Sequence, residues 1–176
     1  STGADYTDDS VQREYRRVSF NDGVLNIVRR LLRVNRRGIL LFSRFVEEAQ
    51  YISDSLPGMA AIVSQNTPKK ERERILADFK AGRIKVVTNV GVLTTGFDYP
   101  ELDTVVLARP TLSLALYYQM VGRAIRPHPS KAEGWIVDLC GNFNRFGRVE
   151  DLQLASYKPG TYCIQNRTRV LTNVYM

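Results

Sequence analysis

Two arginines three residues apart stand out in the segment QMVGRAIRP (119–127). In a helix, Arg123 and Arg126 would share one face, because positions three apart are surface neighbours. Gly122 weakens a helix interior and Pro127 disfavours helical geometry in the residue before it, so both arginines are expected near a helix end. A guanidinium group is permanently charged and binds phosphate oxygens in a bidentate manner. The segment therefore predicts two cations directed at a polyphosphate.

A second polar segment, TNVGVLTTGFDYP (88–100), separates two apolar runs. Its hydroxyl groups and free backbone amides are typical of phosphate contacts, and Gly96 would let a ligand approach the main chain closely. Asp98 could accept a hydrogen bond from a ribose hydroxyl or orient an arginine. Threonine, asparagine and glycine are also ordinary turn residues, so a ligand site and a plain turn both remain open for this segment.

Two patterns that nucleotide hydrolysis requires are missing from the chain. There is no GxxxxGK[ST] segment to cradle phosphates and no DExx-type sequence after a strand to hold magnesium. Arginine fingers, by contrast, act on phosphates held by another domain and raise hydrolysis rates on the order of 10³–10⁵-fold. The residues therefore predict one half of a site whose other half lies on a different domain.

Strands and helices alternate along the chain in a manner typical of α/β domains. Short continuous apolar runs bounded by polar residues or glycine indicate strands buried on both faces, and apolar residues at helical spacing indicate amphipathic helices. The predicted strands are residues 39–42, 60–63, 84–87, 104–107 and 135–139. Four helices are predicted. The first covers residues 22–36, the second begins after a cap at Ser43, the third begins at Thr67-Pro68, and the fourth covers residues 112–125. This alternation implies right-handed crossovers and a mainly parallel sheet in a three-layer α/β fold.

The fold rule for such sheets selects the loops that can bind ligands. Ligands bind beyond the carboxyl ends of the strands, which here are followed by residues 43–44, 64–66, 88–100 and 138–142. These loops carry small, hydroxyl, amide and glycine residues, as a backbone or phosphate contact would require.

Length and charge bound the class of protein. A chain of 176 residues with 44% hydrophobic content can form one domain with a substantial core. Its net charge of +7 favours a polyanionic partner without identifying it. Residues 11–37 contain eight arginines and only two acidic residues, Glu14 and Asp22. This excess of positive charge indicates either a solvated helix face or a surface that binds nucleic acid.

The two cysteines and the length of the apolar runs indicate the cellular setting, and the sequence pattern at the two ends indicates where the domain begins and ends. Cys140 and Cys163 follow no metal-binding spacing, which favours a reducing, intracellular setting, and no apolar run approaches the roughly 20 residues of a membrane span. Residues 1–12 are expected to form a flexible lead-in and residues 13–155 the domain. Residues 156–176 are expected to extend the same domain with one or two edge strands.

Three segments together resemble motifs IV, V and VI of the second RecA-like lobe of superfamily 2 helicases. They are LLFSRFVEEA (40–49), VVTNVGVLTTGFDYPELDTVVLARPT (86–111) and QMVGRAIRP (119–127), in the order and spacing of that family. The resemblance covers roughly residues 20–142. The segments VLTTGFD and LARPT and the DLCGN turn look closest to bacterial and phage helicases of the RadD type and to related restriction-enzyme motors.

The resemblance implies roles at a nucleotide. Arg123 and Arg126 would reach across a cleft to the γ-phosphate of ATP, and Gln119 would help to order that phosphate and the attacking water. Gly96 and Asp98 match the end of motif V that senses nucleotide. ATP and Mg²⁺ would be held mainly by an N-terminal RecA-like lobe that is absent here.

The resemblance also implies contacts with the backbone of nucleic acid, here DNA because of the RadD-like features. The matching positions are Ser43, Arg44, Ser64, Gln65 and Thr88. The long spacing to Gly96 leaves open whether Thr88 or Thr94 makes the threonine contact. Asn89 replaces the usual acidic residue after that threonine, which puts the role of that carboxylate in doubt.

These features predict the C-terminal motor lobe of an ATP-dependent DNA helicase or translocase, inactive when isolated. The RadD-like resemblance suggests a role in DNA repair, in the cytoplasm of a bacterial or phage-infected cell and associated with the nucleoid. Two alternatives remain open. One is a non-catalytic nucleic-acid-binding scaffold with a helicase-like fold, and the other is the motor part of a restriction enzyme.

Overall fold

A parallel sheet of five strands forms the centre of the protein. The computed structural model describes residues 5–36, 38–92, 98–124, 126–167 and 169–175. The central strands are β1 (Ile39–Ser43), β2 (Ala60–Ser64), β3 (Val86–Val90), β4 (Thr104–Ala108) and β5 (Trp135–Asp138), and they lie in the order β2-β3-β1-β4-β5. Every pair of neighbours is parallel.

Alternate residues of the central strand pack on opposite faces of the sheet. In β1, Ile39 and Leu41 belong to one apolar cluster, whereas Leu40 and Phe42 belong to the other. All four side chains are at most 2% exposed. A strand that is buried on both faces has no polar alternation, which is why its sequence is a continuous apolar run.

Helices cover both faces of the sheet. They are α1 (Asp8–Arg17), α2 (Phe20–Arg33), α3 (Val46–Asp54), α4 (Lys69–Lys80), α5 (Leu114–Val121) and the short α6 (Asn142–Phe146), which a 3-10 turn follows at Val149–Asp151. Helices α2 and α3 pack on the Ile39 face, whereas α4 and α5 pack on the Leu40 face. The predicted three-layer α/β fold with a mainly parallel sheet is confirmed.

Several element boundaries differ from the predictions by one or more residues. The third strand begins at Val86 rather than at residue 84, and α5 ends at Val121 rather than at residue 125. Ser43 does not cap a helix, because it is the last residue of β1. Helix α3 is instead preceded by Phe45, whose backbone N–H donates to the Glu48 carboxylate at 3.4 Å.

Residues 8–12, which the sequence analysis placed in a lead-in, belong to α1. Thr7 caps this helix, since its hydroxyl oxygen accepts from the Ser10 backbone N–H at 3.4 Å. Asp8 and Asp9 occupy the first turn, where negative charge is favoured by the helix dipole. Ahead of the helix, the Asp5 carboxylate accepts from the Leu112 backbone N–H at 2.8 Å.

The C-terminal strands form a sheet of their own. Strands β6 (Leu152–Lys158), β7 (Thr161–Asn166) and β8 (Arg169–Tyr175) pair antiparallel in that order, so the expectation of one or two edge strands is wrong. Asn166 ties this sheet to the main body, because its side-chain amide donates to the carbonyl oxygens of Phe146 and Arg148 at 3.0 Å each. The division into domains at residues 13, 155 and 156 stays a prediction.

Within the residues that the structure describes, every helix is too short or too polar to cross a membrane.

Candidate phosphate-binding site

The two arginines of QMVGRAIRP lie just beyond the end of α5. The helix ends at Val121, and the chain continues in tight turns in which the Arg123 N–H donates to Met120 O at 3.3 Å and the Ala124 N–H donates to Val121 O at 3.0 Å. Their expected position near a helix end is confirmed. The two arginines do not share a helix face, since both follow the last helical residue.

Asp98 joins this pair of arginines. Its carboxylate oxygen Oδ1 lies 2.8 Å from Nη1 of Arg126, and the two side chains are 77% and 44% exposed. Burial is the main cause that lowers the pKa of Arg123; the charge of Arg126 lowers it further, whereas Asp98 opposes both. The three charges are therefore close in space. Of the two roles open for Asp98, orienting an arginine is the one that this geometry displays.

Other predicted nucleotide contacts are less complete. Gln119 lies on the exposed side of α5 and lines a groove of about 710 Å³ between this helix and the C-terminal sheet, with Leu154 and Ile164 on the opposite wall. Gly96 and Thr94 lie outside the described residues.

The loop that follows the arginines folds back onto the turn that carries them. Lys131 Nζ donates to the carbonyl oxygen of Ala124 at 2.9 Å and to that of Leu102 at 2.8 Å. Gly134 approaches the same turn so closely that a Cβ atom there would lie 2.2 Å from Ala124 O. The arginine turn is thus held from outside α5.

Thr88 lies in the interior rather than at a ligand edge. Its side chain is 0% exposed, and its hydroxyl oxygen lies 3.3 Å and 3.4 Å from the carbonyl oxygens of Ala49 and Ala61. The prediction of a phosphate contact at Thr88 disagrees with this placement. Its neighbour Asn89 is also buried and closes the turn after β3, since its Oδ1 accepts from the Val92 N–H at 3.2 Å.

The predicted contacts after β1 and β2 divide into buried and exposed residues. Ser43 is 2% exposed and faces a cavity of about 190 Å³. Ser64 is 6% exposed, and its hydroxyl oxygen accepts from the Asn66 N–H at 3.2 Å. These two serines therefore offer little surface to a nucleic-acid strand. Gln65, at the tip of the turn, is exposed.

Arg44 is covered by the N-terminal segment. Its guanidinium lies 2.8 Å from the Asp8 carboxylate and 3.8 Å from that of Asp5, and it also donates to Tyr6 O. The side chain is only 9% exposed. Arg44 therefore binds anionic oxygens in this conformation, and these oxygens belong to its own chain.

Arg109 is a candidate that the sequence interpretation missed. It directly follows β4 and lines the same 190 Å³ cavity as Ser43. Burial lowers its pKa, and the nearby charge of Arg44 lowers it further. Its Nε atom is buried and has no hydrogen-bond partner in the structure. Its position directly after a predicted strand was a signal that could have identified it, because ligands collect at that edge.

Across residues 5–36, 38–92, 98–124, 126–167 and 169–175, no group of three His, Cys, Asp or Glu side chains could hold a metal ion.

Residues 23–128 match the family model described as the helicase conserved C-terminal domain. The match covers more than half of the chain and includes β1 to β4, α5 and both arginines. The chain belongs to this helicase family. The resemblance to the second RecA-like lobe of superfamily 2 helicases is thereby confirmed, whereas the finer resemblance to the RadD type stays a prediction.

Known relatives of this helicase domain are longer proteins. A 51.5 kDa protein of Lactococcus phage (isolate 7-9) is 32% identical over 146 residues, which are 81% of this chain and 31% of the relative. The putative ATP-dependent helicase IRC3 of Saccharomyces cerevisiae is 42% identical over 79 residues, which are 45% of this chain and 12% of the relative. The helicase domain thus spans less than a third of either relative.

A solved structure shares the fold of this helicase domain. A fragment of a putative HsdR subunit of a type I restriction enzyme from Vibrio vulnificus YJ016 has a TM-score of 0.62 and 23% identity, over 74% of this chain and 29% of that chain.

Proposed function

We propose that this helicase C-terminal domain is the second motor lobe of an ATP-dependent DNA helicase or translocase. Arg123 and Arg126 act on the γ-phosphate of ATP that is bound by an N-terminal lobe of the same parent protein. The observation that supports this role most directly is the cluster of two guanidinium groups with Asp98, just beyond the end of α5.

The Asp98–Arg126 pair suits an exchange of partners. Both side chains are well exposed, and exposed ion pairs contribute only about 0–1 kcal/mol. A γ-phosphate carries more charge than a carboxylate and accepts bidentate hydrogen bonds from a guanidinium group. Asp98 therefore keeps Arg126 oriented while the cleft is open and releases it when phosphate arrives.

ATP bound with Mg²⁺ on the N-terminal lobe supplies the phosphoryl group that is transferred to water. The residues of this chain supply positive charge that stabilises the transition state. Arginine fingers of this kind contribute on the order of 10³–10⁵ in kcat. Gln119, on the helix that precedes the two arginines, would help to order the attacking water.

The nucleic-acid partner contacts the carboxyl edge of the sheet through its phosphates. Gln65 is exposed there, and Arg44 and Arg109 supply charge. Contacts with phosphates rather than bases imply little sequence specificity and a strong dependence on salt. We propose DNA as the substrate and a bacterial or phage-infected cell as the setting, in keeping with the phage relative.

The motor part of a restriction enzyme is the second candidate. It is favoured by the fold shared with the putative HsdR subunit of a type I restriction enzyme. The presence of a nuclease domain elsewhere in the parent protein would support the restriction-enzyme motor over the helicase.

The test is DNA-stimulated ATP hydrolysis by the full-length parent protein. Arg126→Ala should lower kcat on the order of 10³-fold while DNA binding persists. Arg74→Ala, which removes an exposed arginine of α4, is the matched control and should leave kcat unchanged. Normal turnover in Arg126→Ala would refute the finger assignment. DNA binding without any turnover in the wild-type protein would favour the scaffold alternative.

A further inference from the structure

Lys131 connects two segments that are far apart in sequence. Its ammonium group donates to Ala124 O, which lies between the two finger arginines, and to Leu102 O, four residues after Asp98. Lys131 therefore bridges the backbone of motif VI and the backbone that follows the end of motif V.

The chemistry of a lysine suits this bridge. Ala124 O and Leu102 O lie outside helices and strands, and an ammonium group offers three donors with which it can meet both carbonyl oxygens. Hydrogen bonds from a charged donor are roughly twice as strong as those between neutral groups. Lys131 is partly buried, so its stem is held in place while its head meets both carbonyl oxygens.

A second, independent contact reaches the same carbonyl group. A Cβ atom at Gly134 would lie 2.2 Å from Ala124 O and 3.0 Å from the Ala124 carbonyl carbon. The next residue is anchored too, because the Trp135 N–H donates to Asp103 O at 2.7 Å. The loop thus holds the Ala124 carbonyl group at Lys131 and at Gly134 and ends on the segment that leads into β4.

The geometry of the Asp98–Arg126 pair depends on this arrangement. Asp98 stands shortly before Leu102, and Arg126 stands shortly after Ala124. Their 2.8 Å contact therefore depends on the separation of the two backbones that Lys131 joins. Leu102 and Ala124 also belong to one buried apolar cluster, and Lys131 adds the polar link between their carbonyl groups.

We infer that Lys131 is a positioning residue for ATP hydrolysis, which fixes the motif VI turn against the end of motif V so that Arg123 and Arg126 meet the γ-phosphate. This inference rests on the proposed function. Lys131 does not touch the phosphate; it acts through the arginines. Misplacement of a reacting group by about 1 Å can lower the rate about 10²-fold, so a loose turn has a measurable effect.

The test uses three variants of the full-length protein. Lys131→Met keeps the length of the stem but removes every donor, and it should lower kcat about 10–100-fold with KM for ATP changed less than about 3-fold. Lys131→Arg keeps charge and donors and should recover most of the loss. Lys70→Met removes an exposed lysine of α4 and should behave as the wild type.

A double-mutant cycle separates positioning from general stability. If Lys131 acts through Arg126, adding Lys131→Met to Arg126→Ala should cause no further loss of kcat. A lower unfolding temperature with kcat unchanged would overturn the inference, as would independent losses in the double variant. If Lys131→Met does not fold, Lys131→Gln is assayed against the same outcomes.

The two levels of the proposal fail in different ways. Normal turnover in Arg126→Ala refutes the proposed function itself. Loss of turnover in Arg126→Ala together with normal turnover in Lys131→Met refutes only the positioning role.

Discussion

Replacing Glu48 with glutamine should change how the stability of the protein depends on pH. Glu48 lies in the first turn of α3 and is 8% exposed. Burial is the largest cause that raises its pKa, from an ordinary 4.5 to about 7; hydrogen bonds from the backbone of Phe45 and Arg44 oppose this shift. Its ionised form is therefore disfavoured in the folded protein.

The sign and size of the effect follow from this shift. The folded state holds the Glu48 proton more tightly than the unfolded state, so the contribution to stability is complete below pH 4.5 and is lost as the pH rises through about 7. At about 1.4 kcal/mol per pKa unit, the loss is at most about 3.5 kcal/mol. Glutamine resembles the protonated carboxyl group and does not titrate, so Glu48→Gln should lack this decline.

Urea unfolding from pH 4.5 to pH 8 measures the difference. The free energy of unfolding of the wild type should fall relative to Glu48→Gln across this range. Glu71→Gln changes an exposed carboxylate in the first turn of α4 and serves as the control. Parallel stability curves for the wild type and Glu48→Gln would refute the argument from burial.

Two further substitutions address the arginine turn and the covered arginine. Gly134→Ala should lower the free energy of unfolding by about 1–3 kcal/mol, because the new Cβ atom would overlap the Ala124 carbonyl group. The control is Gly23→Ala in α2, whose Cβ atom would meet open space and should not lower this free energy. Equal urea midpoints for Gly134→Ala and the wild type would contradict this packing. Asp8→Asn removes the closest carboxylate from Arg44 and should tighten the binding of single-stranded DNA about 2–10-fold at low salt, an effect that weakens as salt rises. Fluorescence anisotropy measures this affinity, and an equal gain in Glu14→Gln, which changes the net charge equally, would show that Arg44 is not involved.

The inner strands β1 and β4 could be predicted because burial on both faces leaves a simple pattern of consecutive apolar residues. The edge strands β2 and β5 are less buried but keep a short apolar run. The elements at the two ends could not be predicted as readily. The first helix was assigned to a polar lead-in although Thr7, Asp8 and Asp9 form an ordinary helix start. Among the described side chains of β6 to β8, Cys163 is buried whereas Leu154 and Val170 are exposed, so the apolar pattern there is weak.

The site was predictable where neighbours in sequence are neighbours in space. Arg123 and Arg126 were expected together on one helix face; they lie in the turns just beyond α5 instead, so only their position near the helix end was predicted. The burial of Thr88 was not predictable, because a polar residue near a strand end can face either a packed helix or the ligand edge. Lys131 was missed for another reason, since its acceptor at Leu102 lies far from it in sequence.

The position of β1 in the middle of the sheet has a mechanical consequence. Its backbone is hydrogen-bonded along both edges, to β3 on one side and β4 on the other. Neither neighbour can slide without breaking a ladder of such bonds, so the sheet behaves as a stiff plate. Under the proposed function, a displacement of the arginine turn would therefore reach the loops at the carboxyl edge as a movement of the whole lobe, because the sheet offers no compliant element.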